Sequence, residues 1–414
     1  MARTTNQSWI RRVSILASCL ACASAYFWCA TRIYRAEKLG SHSDPASIER
    51  AVALEPQNAS YHDLLCRSMI FSTQSERAVN ECRQASELNS WSSTIWLDLA
   101  QAQYSTGNNA LTNTAIRRAL EVDPTTPDTA WSAANFFLIQ GDIQDALDEF
   151  AIVLRQQPSL VVPALNICWQ SLHDVHSIES ILPSNPEVYL AFIKLLLSTG
   201  EVEPANQVWS ALMQIDRVPD FHQALFYIDS LIKSGAVTQA SDAWKQLSSK
   251  TPALKAYSQP NNLVMDGSFA QEILNSGFSW RYTQRPQISV ALDTPQFHSG
   301  GRSLRLIYSG DGSDAGVFQY IAAKPQTKYQ LSAWVKSENL ETANGPALAI
   351  LDGYGQQVYG ATEETTGTTA WHRVEADVET GPDTRLLLLT ILRRPGETRI
   401  QGKFWIDDVE LAPR

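Results

Sequence analysis

WLDLAQAQYSTGNNALTNTAIRRALEVDP, residues 96–124, holds the spacing that decides the fold. Trp96, Leu99 and Ala100 recur at helical spacing, Gly107 interrupts them, and Ala115 and Ala119 begin a second helical stretch. Asp123-Pro124 closes that stretch, because proline cannot continue a helix. The arrangement returns 34 residues on, where Gly141 follows Gly107 and stands among Ala130, Ala133, Ala134, Phe137, Ala146, Phe150, Val153 and Pro158. It returns again in Tyr189, Phe192, Gly200, Ala205, Trp209 and Leu212, and once more in Ala224, Tyr227, Gly235, Ala240, Trp244 and Leu247. Upstream, Leu65, Cys66, Ala78, Cys82 and Ala85 form a further copy, with Ser75 near its turn. Each copy predicts a helix, a turn and a second helix, with small residues that let the two approach closely.

These copies resemble the tetratricopeptide repeat family, with about five units over residues 59–250 inside a helical region spanning 44–256. The interval from Gly141 to Gly200 is too long for one unit, which predicts a shortened or irregular second helix around residues 173–182. Residues 44–56, with Ile48, Ala51, Leu54 and Pro56, read as a terminal helix completing the array. The resemblance implies a groove that binds a protein partner.

Composition excludes other classes. The chain has 414 residues, 44% hydrophobic and 18% charged, which is ordinary for folded domains and leaves no room for a disordered or multi-pass membrane chain. The net charge of −10 is unevenly spread: residues 1–43 carry six Lys/Arg against one acid, residues 44–258 thirteen against twenty-four, and residues 259–414 fourteen against eighteen. An acidic body without a basic run argues against nucleic acid, since phosphate neutralisation needs clustered Lys/Arg.

Residues 13–30 carry no charge and lie between Arg11-Arg12 and Arg32, Arg35 and Lys38, with Trp9, Tyr26, Phe27 and Trp28 at the margins. The stretch is long enough for a single membrane-spanning helix over residues 13–31 behind a short cytoplasmic tail, residues 1–12. A cleaved signal ending at Ala23-Ser24-Ala25 and a lipoprotein signal at Leu16-Ala17-Ser18-Cys19 are the competing readings. Flanking charge is balanced and leaves the orientation open.

After Pro252 the helical period stops, and residues 257–261 read as a linker. Strand patterns follow at 303–308, 317–321, 329–335, 347–351, 372–378, 385–392 and 403–411, broken by Gly and Pro. They predict an all-β antiparallel sandwich over residues 262–414, so the fold class is multidomain: transmembrane helix, all-α superhelix, jelly roll. The succession NLVMDGSF (262–269), Trp280, GGRSL (300–304), Lys324-Pro325, YQLSAWVK (329–336), WHRV (371–374) and FWIDDVEL (404–411) resembles the jelly-roll carbohydrate-binding modules of the xylan- and glucan-binding type, family 4/9, with a galactose-binding-like topology. The resemblance implies polysaccharide binding through aromatic rings and a structural calcium with Asp407 at a ligand position. Ala270 departs from the pattern, standing where an acidic residue often follows the phenylalanine.

Alternation sorts the faces of residues 329–336. Tyr329, Leu331, Ala333 and Val335 are expected in the core, leaving Gln330, Ser332, Trp334 and Lys336 outward. Trp334 beside Gln330 and Lys336 is a candidate sugar platform, since the apolar face of a pyranose stacks on an indole while hydroxyls bond to polar neighbours. Tyr282, and Tyr354 and Tyr359 in a glycine-rich stretch, are further candidates, whereas Trp280, Trp371 and Trp405 read as structural.

No phosphate loop, dinucleotide fingerprint, nucleophile elbow or zinc-protease motif occurs, so no catalytic residue is expected. Adjacent Glu363-Glu364 lacks the separation that glycosidase acids need, and His173 and His176 lack further metal ligands. Cys66 and Cys82 face each other across one hairpin and read as two small core residues, a disulfide being conceivable in an oxidising compartment. The expected function is a non-enzymatic anchored scaffold on the bacterial inner membrane, its repeats and sandwich facing the periplasm or outside. Its partners are a protein, a polysaccharide and the membrane, in exopolysaccharide or cell-envelope glycan assembly or export. The alternative is a purely protein-binding scaffold whose sandwich binds no sugar.

Overall fold

The computed structural model describes residues 3–70, 74–311, 314–355, 357–393 and 399–414. Helices come first: α1 (Arg3–Gly40), α2 (Pro45–Leu54), α3 (Ala59–Met69), α4 (Ser75–Leu88), α5 (Ser93–Ser105), α6 (Asn109–Val122), α7 (Pro127–Gln140) and α8 (Ile143–Gln156). Next are α9 (Val161–Leu172), α10 (Val175–Glu179), α11 (Pro186–Ser198), α12 (Val202–Leu212), α13 (Phe221–Lys233), α14 (Val237–Lys250) and α15 (Pro252–Lys255). The strands follow: β1 (Arg281–Tyr282), β2 (Ile288–Asp293), β3 (Ser303–Asp311), β4 (Asp314–Ala322), β5 (Lys328–Glu341), β6 (Ala347–Asp352), β7 (Val358–Ala361), β8 (Gly367–Glu379), β9 (Leu386–Leu392) and β10 (Arg399–Pro413). The multidomain class, helices and then an all-β sandwich, is the one the sequence predicts.

The helix boundaries have local causes. Asn58, Ser92, Asn108, Asn185 and Asp220 accept a hydrogen bond from a first-turn amide of the helix each precedes. Gly107, Gly141, Gly200 and Gly235 all take φ between 80° and 86° at the hairpin turns, where a Cβ meets no neighbour. The restriction there is backbone conformation alone. Gly141→Ala is therefore expected to cost about 1 kcal/mol, read as a lowered denaturant midpoint. The turn of the α3–α4 hairpin, near Ser75, falls partly at residues 71–73, outside the described residues. In the irregular interval, His173 adopts a left-handed conformation and α10 has five residues, the shortened second helix expected there.

The chain forms two compact units, residues 1–183 and 184–414. In the first, α1 holds the one stretch among the described residues that is long and apolar enough to cross a membrane, Arg11–Gly40. The helix runs without a break through Ala23-Ser24-Ala25 to Gly40. Its last turns dock on α2, where Ala36 is buried and Arg32 pairs with Glu55 at 2.7 Å. The hairpin cysteines differ from their expected role as separate core residues. Cys66 of α3 and Cys82 of α4 form a disulfide with a Cα–Cα distance of 5.3 Å, because close helix packing brings the two positions together.

Buried carboxyls in this unit set a pH dependence. Asp63 of α3 and Asp98 of α5 lie together beside Arg67, and burial together with the Asp63 charge pushes Asp98 up to about 7. A carboxyl with a raised folded-state pKa favours the protonated fold. That stabilisation is complete below the ordinary Asp range and disappears as pH rises through about 7. The first unit is thus expected to melt several degrees lower at pH 8 than at pH 5, and Asp98→Asn to remove about half of that difference in a calorimetric pH series, since burial also pushes Glu149 of α8 up to about 7.

The second unit combines the hairpins α11–α12 and α13–α14 with the sandwich. Two antiparallel sheets, β1-β4-β9-β6-β7 and β2-β3-β10-β5-β8, face each other. Leu331, Val335, Phe404 and Ile406 of one pack against Val317, Ile350 and Leu389 of the other. Tyr329, Leu331, Ala333 and Val335 point into this core, as alternation predicts. Residues 257–261 are not a free tether: Tyr257 is buried and its hydroxyl donates to the Glu272 carbonyl at 2.9 Å. The last hairpin is bound to the sandwich through Asp229, whose carboxylate accepts from the Ser276 hydroxyl at 2.6 Å and the Gly277 amide at 2.7 Å and pairs with Arg281. Trp244 packs edge-on against Phe278, with ring centroids 6.0 Å apart.

Candidate functional site

The expected platform lies on the outer face of β2-β3-β10-β5-β8. Gln330, Trp334 and Lys336 project there together, and residues 294–301 run over them. The His298 imidazole stacks on the Trp334 indole, centroids 3.8 Å apart and planes 11° from parallel, and meets Trp371 edge-on. Lys336 Nζ donates to Gln296 Oε1 at 2.5 Å and lies over the buried Trp405 ring. Gln330 Nε2 donates to Glu375 Oε2 at 3.1 Å. One face of the Trp334 ring is thus occupied by His298, and the amide and ammonium of the trio are engaged by neighbours. Alternation gives the side of a strand and not what a distant loop lays over it.

The opposite sheet, β1-β4-β9-β6-β7, presents a different outer face. Gln319 of β4 points inward, its amide bonding the Met265 backbone at 2.9 and 2.8 Å, so Phe318 and Tyr320 point outward. Register places Phe318 in a row with Thr390, Ala349 and Ala361, and Tyr320 in a row with Leu388, Leu351 and Val358. Phe318 and Tyr320 meet edge to face at 5.5 Å and are partly exposed. Two adjacent aromatic rings on an apolar, partly open sheet face suit the apolar faces of consecutive sugar rings. At one border Arg281 lies over Tyr320, 5.3 Å from its centroid, held by Asp229 of α13 and the Gly277 carbonyl.

The candidate tyrosines divide between contact and packing. Tyr354, 56% exposed, borders this face. Its hydroxyl bonds the Ile232 carbonyl, and burial, with Tyr320 nearby, pushes its phenol above the ordinary value. Tyr282, 41% exposed, lies at the β1 edge. Tyr359 packs against the sandwich core and its hydroxyl bonds Asp352 at 3.1 Å and Thr384. Phe318 and Tyr320 escape sequence reading because Val317, Gln319 and Ile321 alternate with them, and an inward Gln disguises which set is core.

The calcium position implied by the sequence resemblance does not fit the residues present. Asp407 is fully buried, and its two oxygens accept from the amides of His298 at 2.7 Å, Ser299 at 3.0 Å and Asp408 at 2.8 Å. Burial pushes this carboxyl up to about 6 against the pull of those amides. Ala270 brings no carboxylate, and its carbonyl is taken by the Arg302 guanidinium. No group of three His, Cys, Asp or Glu suited to a metal occurs among the described residues. Asp407, expected as a calcium ligand, instead has both oxygens bonded to backbone N–H donors.

Residues 261–395 match the family described as carbohydrate binding domain. No curated protein matches the sequence. Among solved structures the chain is similar to one described as "CBM4 structure and function", with 16% identity, 36% of this chain and 99% of that chain covered, and a TM-score of 0.29. It is also similar to pilF of Pseudomonas aeruginosa, with 17% identity, 47% and 92% covered, and a TM-score of 0.27. Yeast Tom70 gives 14% identity, 55% and 49% covered, and a TM-score of 0.30. At such low TM-scores these likenesses add nothing to the function assigned to the chain.

Proposed function

We propose, from a carbohydrate-binding domain at residues 261–395 that follows tetratricopeptide-type hairpins, that this chain is a non-enzymatic membrane-anchored scaffold holding a polysaccharide on its sandwich and a protein on its repeats. The observation that carries the sugar reading is the pair Phe318 and Tyr320, partly exposed side by side on an apolar sheet face. An uncleaved anchor is supported by the continuity of α1, which runs as one helix through Ala23-Ser24-Ala25 and carries an apolar stretch long enough to cross a membrane. The Cys66–Cys82 disulfide favours an oxidising compartment for the repeats, and hence the N-terminus inside and both folded units in the periplasm or outside. A glycan-binding module on that side of a bacterial inner membrane suits assembly or export of exopolysaccharide or another envelope glycan. The test is retention of the detergent-solubilised full chain on a polysaccharide array. Retention lost on removing the Phe318–Tyr320 pair supports the reading; absence of retention by the unaltered chain favours the scaffold that binds protein alone.

A further inference from the structure

We infer that Arg302 takes the place of a structural metal in this sandwich, its guanidinium being the fixed cation that ties residues 266–271 to the segment 298–302, which Asp407 in turn holds to the last strand. Three segments converge here. Asp266, 4% exposed, accepts from the Ala270 amide at 2.8 Å and the Gln271 amide at 3.0 Å, one bond to each carboxylate oxygen. Arg302 donates to the carbonyl of the same Ala270. Asp407, fully buried in β10, holds the His298 and Ser299 amides a few residues before Arg302. The charges of Arg302 and Asp407 both act on Asp266, the first favouring its ionised form and the second opposing it, so Asp266 lies within electrostatic range of both.

Two buried carboxylates near each other are unfavourable unless a cation lies within reach. Calcium answers that need with six to eight oxygen ligands. Here all four carboxylate oxygens already accept amide hydrogens, and the nearest backbone carbonyl is spent on a guanidinium. An arginine does the same electrostatic work with donors that suit carbonyl and carboxylate acceptors, and it cannot dissociate or lose its proton. Ala270 fits the same logic, since a small side chain adds no further negative charge beside Asp266. The sandwich is thereby independent of calcium, and so is whatever it binds.

The test uses the full chain in detergent, with scanning calorimetry and bound-metal analysis, and needs no glycan, so its outcome is separate from that of the sugar reading. The unaltered chain is expected to retain no calcium after dialysis against the millimolar ion and to melt at the same temperature with calcium or with a chelator. Arg302→Ala is expected to lower the sandwich transition by several degrees. Arg302→Ala combined with Ala270→Glu is expected to recover part of that loss in calcium and to lose it again with chelator. Stoichiometric calcium on the unaltered chain, a chelator-sensitive transition, or an Arg302→Ala chain that melts unchanged overturns the inference. If Arg302→Ala does not fold, the calcium and chelator measurements on the unaltered chain decide it.

Discussion

Replacing Phe318 and Tyr320 together by alanine is expected to reduce polysaccharide retention by about a hundredfold, while Trp334→Ala changes it less than about threefold. Each ring that a sugar covers contributes on the order of 1.5 kcal/mol, and 1.4 kcal/mol is a factor of ten in affinity. The two rings touch at 5.5 Å, so the single substitutions share part of their effect and only the double change removes the platform. Trp334 has a different job. Its ring carries His298, which in turn holds Asp408 at 2.6 Å, so its loss loosens residues 294–301 and lowers the melting temperature of the sandwich without emptying the opposite face. Affinity and stability measured on both variants separate the two faces. Retention that survives the double change and vanishes with Trp334→Ala moves the site to the other sheet.

Removing the Cys66–Cys82 bond is expected to destabilise the first unit by about 3 kcal/mol, the loop-entropy value for a closure of this length, here a separation of 16 residues. Cys66→Ser with Cys82→Ser measures it as a shift of the denaturant midpoint, and a reductant acting on the unaltered chain is expected to produce a comparable shift. Both cysteines are wholly buried, so the serine pair adds a small cost for two hydroxyls in an apolar site, and Cys66→Ala with Cys82→Ala separates that cost from the bond. A midpoint indifferent to reductant, together with two titratable thiols in the denatured chain beyond Cys19, Cys22, Cys29 and Cys168, means that the bond is absent and removes the support it gives to an oxidising compartment.

Period and alternation made much of the architecture legible. The spacing of Gly107, Gly141, Gly200 and Gly235 locates four hairpin turns because only a left-handed residue closes them cheaply. The long gap before Gly200 marks the short α10 for the same reason. In β5, apolar residues at every second position name the core face correctly, since a strand has only two sides. The candidate site was less legible. Trp334 was on the predicted side of its strand, but a loop some forty residues away in sequence lies over it. Phe318 and Tyr320 were hidden by Gln319, a polar residue that is buried because the Met265 backbone satisfies it.

What the chain determines by itself is therefore local and periodic: which segments are helices, which are strands, where each turns, and which side of each faces inward. These follow from backbone sterics and from the burial of apolar side chains, which act over a few residues. Tertiary structure decided the rest, namely that Cys66 meets Cys82, that His298 covers Trp334, that Asp229 holds Arg281 beside Tyr320, and that Arg302 sits where two carboxylates need a cation. Each of those joins side chains from separate segments, and their geometry is set by how the packed elements come together, which no spacing within one element records.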